Sequence, residues 1–101
     1  MSIEITARHE QISAASKDYA QTKARALEAA FQKVASIKVT LDIEGTLYKA
    51  QVAATVAGTP YIGAANNDTN LHVAIDEAFS KVDHQIRKQK AKLNEATRGS
   101  L

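Results

Sequence analysis

The chain has 101 residues, 45% of them hydrophobic, which suits one domain and leaves no room for two. It contains no cysteine, which excludes disulfides and thiolate chemistry, and its aromatic share of 5% argues against base stacking on a sheet of Phe and Tyr. Net charge is only +2 but is segregated: residues 81–98 hold six basic and two acidic groups, net +4, and the rest is net −2.

The start, Met1-Ser2-Ile3-Glu4-Ile5-Thr6, lacks the cationic head and apolar core of a signal peptide. No apolar run approaches the ~20 residues of a membrane span, so a soluble, cytoplasmic protein is expected. Ile3 and Ile5 alternate with Ser2, Glu4 and Thr6, which predicts a strand over residues 2–7. Ser13 reads as an N-cap. Residues 14–34 follow without Gly or Pro, and Ala20, Ala24, Leu27, Phe31 and Val34 recur at helical spacing, so one helix of about six turns is predicted.

Val39, Leu41 and Ile43 then alternate with Lys38, Thr40, Asp42 and Glu44, and after a Gly45-Thr46 turn Tyr48, Ala50, Val52, Ala54 and Val56 alternate in the same way. These are two strands of a hairpin. Gly58-Thr59-Pro60 breaks the pattern, and residues 60–64 make a shorter strand in which Pro60 suits a start or an edge. Residues 66–70, Asn-Asn-Asp-Thr-Asn, form a turn and cap cluster with Asp68 or Thr69 as the cap. Leu71, Ile75, Ala78, Phe79, Val82, Ile86 and Leu93 form one stripe of a final helix over residues 69–94.

The order β-α-β-β-β-α predicts an α+β fold: a four-stranded, mainly antiparallel sheet with two helices packed on one face. The first strand reaches the second through a helix, a crossover that favours parallel pairing. Residues 1–94 are expected to form a single domain, and residues 95–101 a short flexible tail.

Chemistry concentrates on the final helix. At ~100° per residue, Lys81, His84, Lys88 and Lys92 fall on one side of it, with Gln85 beside them and away from the apolar stripe. Ammonium groups ~5–6 Å apart match a nucleic-acid backbone, and lysine reads phosphate and shape rather than sequence. The plain alternative is a solvated helix face whose lysines favour the negative end of the helix dipole. A membrane-surface helix fits less well, because the apolar stripe is needed for the core.

Other chemistry finds no support in the spacing. His72 and His84 would stand about 18 Å apart along a helix, too far for one metal ion. Asp76 and Glu77 diverge on a helix and are expected to offset its start rather than to form a catalytic pair. Asp42 and Glu44 share a strand's polar face, where a solvated surface is the simpler account. Residues 58–63 lack the Lys-Ser/Thr ending of a phosphate-binding loop. No enzyme, cofactor, metal or small-molecule substrate is expected.

Two signatures carry a resemblance. One is Ile5-Thr6-Ala7-Arg8-His9 with Ile12-Ser13, Lys17-Asp18-Tyr19, Lys23, Leu27-Glu28 and Phe31. The other is Leu71-His72-Val73-Ala74-Ile75-Asp76 followed by Lys81, Gln85, Lys88, Lys90, Lys92 and Leu93. Over nearly its whole length the chain resembles the ribosome hibernation-promoting factors, also described as ribosome-associated inhibitor or factor Y and labelled sigma-54 modulation proteins. The resemblance implies a β-α-β-β-β-α domain related to double-stranded-RNA-binding domains. It implies binding to small-subunit rRNA, and to the intact ribosome, in the channel of mRNA and of the A- and P-site tRNAs. Translation would be silenced there in stationary phase or stress. With the sequence stopping at Leu101, the resemblance is to short forms without a C-terminal dimerisation domain.

Carried over by position, the implied rRNA contacts are Lys23, Lys81, Gln85, Lys88, Lys90 and Lys92. His84 joins them from the basic stripe, and Arg25 and Arg87 on charge. The chain departs from the family pattern at Asn70, His72 and His84, where Asp, Tyr and Arg are usual. A histidine at 84 would make part of the stripe pH-sensitive. The other readings are a general structured-RNA-binding module and, more distantly, a protein-interaction domain acting on transcription, against which so many lysines on one helix argue.

Overall fold

The computed structural model describes the backbone of residues 2–31 and 33–99, and the side chains of residues 3–31 and 33–89. The elements are β1 (Ser2–Ala7), α1 (Ala14–Ala30), β2 (Val34–Glu44), β3 (Leu47–Val56), β4 (Thr59–Asn67) and α2 (Leu71–Gly99), in the expected order. The four strands form one sheet in the order β1-β2-β3-β4. β1 runs parallel to β2, as a helical crossover favours, and the remaining pairs are antiparallel hairpins.

Alternation sets the layers. Ile37, Val39 and Leu41 of β2 and Ala50, Val52 and Ala54 of β3 point to one face and are buried. Ala20, Ala24 and Leu27 of α1 cover them together with Leu71, Ala74, Ile75, Ala78, Phe79, Val82 and Ile86 of α2. Both helices therefore lie on one side, α2 chiefly over β4 and β3 and α1 against α2 and β1. The opposite sheet face carries Glu4, Thr6, Lys38, Thr40, Gln51 and Ile62, the last 55% exposed.

Several boundaries differ from expectation. α1 stops at Ala30: Phe31 is already extended, with φ −132° and ψ 124°, and Val34 opens β2 opposite Val56. The helical spacing of Phe31 and Val34 served burial but not helix, because strand pairing overrode it and β-branched Val34 suits a sheet. A register shift between Val34 and Ser36 lets Val34 and Ile37, three apart, both face the core.

β4 is longer than predicted and begins at Thr59, so the turn is Ala57-Gly58, both with positive φ (52° and 83°), the geometry of a tight hairpin. Pro60 sits on this edge strand, where a missing N–H is tolerated. Gly45, with φ 62°, opens the β2–β3 turn, as foreseen.

The caps divide similarly. Ser13 does cap α1, its hydroxyl accepting from the Ser16 N–H at 3.2 Å. The cap of α2 is neither Asp68 nor Thr69 but Asn70, whose Oδ1 accepts from the His72 N–H at 2.8 Å. Asn67 organises the turn before it, accepting from the N–H groups of Thr69 and Asn70. α2 runs to Gly99, past the expected end at Asn94. The expected contribution of Leu93 to the stripe, and the side chains of the proposed tail, lie outside the described residues. No helix among the described residues is long and apolar enough to cross a membrane.

Candidate nucleic-acid interface

The exposed side of α2 borders the free edge of β4, and two of its side chains reach that edge. Lys81 Nζ donates to the Ala64 carbonyl at 2.6 Å, and Gln85 Nε2 donates to the Ile62 carbonyl at 2.8 Å. One helical turn on α2 thus matches the two-residue repeat of outward carbonyls on β4. The pairing satisfies an otherwise open edge and fixes where the Lys81 ammonium stands. A carbonyl is neutral, so the cation is anchored without being cancelled. Lys88, next along this side, is exposed and has no carboxylate partner among the described residues.

The other flank of α2 forms a groove with α1, lined by Lys23, Leu27, Asp76, Phe79, Asp83, His84 and Arg87 among others. Its cations are paired. Lys23 Nζ lies 3.3 Å from Asp76 Oδ1, and the Arg87 guanidinium binds Asp83 one turn earlier on α2. The Arg87 guanidinium carbon also stands 5.2 Å from the centroid of the Phe31 ring, a cation–π arrangement that holds it against the C-terminal end of α1.

Below the groove the helices are clasped by polar contacts. The Tyr19 hydroxyl donates to Asp76 Oδ1 at 2.5 Å, and the Tyr19 and His72 rings stack with centroids 4.4 Å apart and planes 6° apart. His72 Nε2 lies 3.4 Å from the Ser16 hydroxyl, itself buried and bonded to Ser13. The bond to Asp76 is the main cause pushing the Tyr19 phenol above its usual 10.0, followed by burial and by the carboxylate's charge.

The residues singled out from sequence are therefore not one row. Lys81, Gln85 and Lys88 share the β4 side of α2, while His84, Arg87 and Lys23 line the groove. Arg25 is exposed and, about 200° round α1 from Lys23, points away from the groove. The side chains of Lys90 and Lys92 lie outside the described residues. Asp76 does not offset the start of α2; it binds Lys23 and Tyr19 across the helix pair. Glu44 pairs with Lys49 across the hairpin at 2.5 Å rather than with Asp42. Sequence reasoning missed the roles of Tyr19, Phe31, Asp76 and Asp83. Only the four-residue spacing of Asp83 and Arg87 was a readable signal.

Comparison with known proteins decides the family. The profile described as "Sigma 54 modulation protein / S30EA ribosomal protein" matches residues 3–94. The chain belongs to this family. Similar members of known name include a ribosome hibernation promoting factor from Pseudomonas putida, 24% identical over 99% of this chain and 97% of that protein. Another, from Azotobacter vinelandii, is 27% identical over 98% and 92%. Two solved structures share the fold. A ribosomal subunit interface protein from Coxiella burnetii superposes with a TM-score of 0.75 at 21% identity, covering 90% of this chain and 99% of that one. The N-terminal domain of Thermus thermophilus Protein Y gives 0.74 at 24% identity, covering 87% and 98%.

In this member of the sigma 54 modulation/S30EA family, Asn70 supplies the capping oxygen of α2 and the His72 ring stacks on Tyr19.

Proposed function

We propose that the chain is a ribosome-associated translation inhibitor that binds small-subunit rRNA in the channel shared by mRNA and the A- and P-site tRNAs. The observation that carries this reading is the cationic side of α2 beside β4, where Lys81 is anchored by a carbonyl and Lys88 is free of carboxylates among the described residues. Point charges on a rigid helix favour phosphate and backbone shape over base identity. The names of the related ribosome hibernation promoting factors support the ribosome as the partner. Inhibition needs no chemistry, only occupancy of ground that mRNA and tRNA must use. On this reading the protein acts in the cytosol, under stress or in stationary phase, and its contacts are Lys81, Gln85, Lys88, Lys90 and Lys92 on α2, with Lys23, His84 and Arg87 in the adjoining groove and Arg25 apart from them on the outer side of α1.

Co-sedimentation with small subunits tests it. The Lys88→Glu, Lys92→Glu double variant is expected to keep its circular dichroism spectrum and melting temperature while losing about tenfold or more in affinity at moderate salt. Undiminished sedimentation of that variant contradicts the reading. Wild-type binding to free duplex RNA as tight as to subunits favours a general RNA-binding module instead.

A further inference from the structure

We infer that Asp76 and Asp83 hold the groove cations Lys23 and Arg87 in reserve, as carboxylate stand-ins that an RNA phosphodiester must displace, and so set how readily the α1–α2 groove accepts a polyanion. The inference rests on the RNA-binding reading above and adds residues that work against binding.

Asp76 and Asp83 lie seven residues apart on α2, about two turns, so both face α1 across the same groove. Each occupies one cation there: Asp76 sits 3.3 Å from Lys23 Nζ, and Asp83 takes the Arg87 Nε–H. A carboxylate and a phosphodiester compete for the same donors, since each offers anionic oxygens to a guanidinium or ammonium. The Asp83–Arg87 pair is open to water, its side chains 37% and 64% exposed, so it is weakly held and can be exchanged. Phe31 makes that exchange conservative. Its ring carries the guanidinium whether or not Asp83 is bound, leaving the cation oriented when the carboxylate leaves. Asp76 also accepts from Tyr19 at the oxygen that faces Lys23, and its pair with Lys23 is likewise open to water, the side chains 48% and 38% exposed, so a phosphodiester can exchange it too. Arg87 then belongs to the binding surface only after Asp83 has yielded.

The test is a double-mutant cycle read by fluorescence titration of small subunits and of a free RNA duplex at low salt. Asp83→Asn is expected to bind about three- to tenfold more tightly than wild type, because it frees a guanidinium for a charged partner. Arg87→Gln is expected to bind more weakly, and Asp83→Asn added to it is expected to give no gain. Glu4→Gln, on the exposed sheet face, makes the same change in net charge away from the groove and is the control. An Asp83→Asn gain no larger than that of Glu4→Gln, or one that survives in the Arg87→Gln background, overturns the inference and leaves the RNA-binding reading intact. Failure of the wild type to bind either subunits or duplex overturns both.

Discussion

Gly63 is the residue on which the seating of α2 turns. A Cβ built there would lie 2.5 Å from the Ala78 carbonyl oxygen and 3.0 Å from Lys81 Cβ and Val82 Cγ2. The first of these is backbone and cannot step aside, so any side chain must lift α2 from β4. Gly63→Val is expected to destabilise the domain by about 1–3 kcal/mol, the usual cost of overpacking, with a lowered urea midpoint. Because Lys81 and Gln85 reach β4 from the lifted helix, the same variant should also bind RNA less well. Tyr19 offers a second test at this scale. Its phenol is raised above 10.0 mainly by donating to Asp76. An acid whose folded pKa is raised stabilises the fold fully below its unfolded value, and that contribution is lost as pH climbs through the raised one. Urea titrations should therefore show wild-type stability falling above pH 10 more steeply than that of Tyr19→Phe. Near neutral pH, Tyr19→Phe should cost about 0.5–1 kcal/mol, at the low end for a bond to a charged acceptor because the Asp76 side chain is 48% exposed. Equal pH profiles for the two proteins would mean that the phenol carries no such linkage.

Among the elements, α2 bears much of the core and the proposed binding surface, and its start depends on one side chain. Asn70→Ala removes the oxygen that receives the His72 N–H and is expected to cost about 1 kcal/mol, seen as a drop in melting temperature, whereas Asn70→Asp should restore it. The sheet was legible in the sequence because β2 and β3 alternate strictly, and so was the face of α2 that is buried, because an apolar stripe at helical spacing can hardly be used otherwise. What sequence alone misjudged were places where partners distant in the chain decide. Val34 continues the helical period of α1 yet pairs with Val56, and β4 gains its outer residues by pairing with β3. Residues 60–64 carry the only alternation that local reading could see. The candidate site divides in the same way. The lysines of α2 were visible as a charge pattern, but Asp76 lies 53 positions from Lys23 and 57 from Tyr19, and nothing local announces those contacts. Nor does a wheel of α2 show that β4 carbonyls draw Lys81 and Gln85 to one side while His84 borders the other groove wall.

At the scale of the whole molecule, the charge asymmetry and the layering have one consequence. The helices shield one face of the sheet, the other is polar and mixed in charge, and the net positive segment falls on α2. A polyanion should therefore approach from the helical side, and binding to small subunits should weaken steeply with salt, because the counterions released on binding gain less entropy at higher salt. Direction of approach is the most direct thing to measure. The chain has no cysteine, so a single cysteine can carry a hydroxyl-radical source at Ser80→Cys on α2 or at Glu4→Cys on the open face of the sheet, on β1, the edge opposite β4. Bound to small subunits, the probe at position 80 is expected to cleave rRNA lining the mRNA and tRNA channel, and the probe at position 4 to cleave it far less. Strong channel cleavage from position 4 with none from position 80 would contradict the assignment of α2 as the face that meets the ribosome.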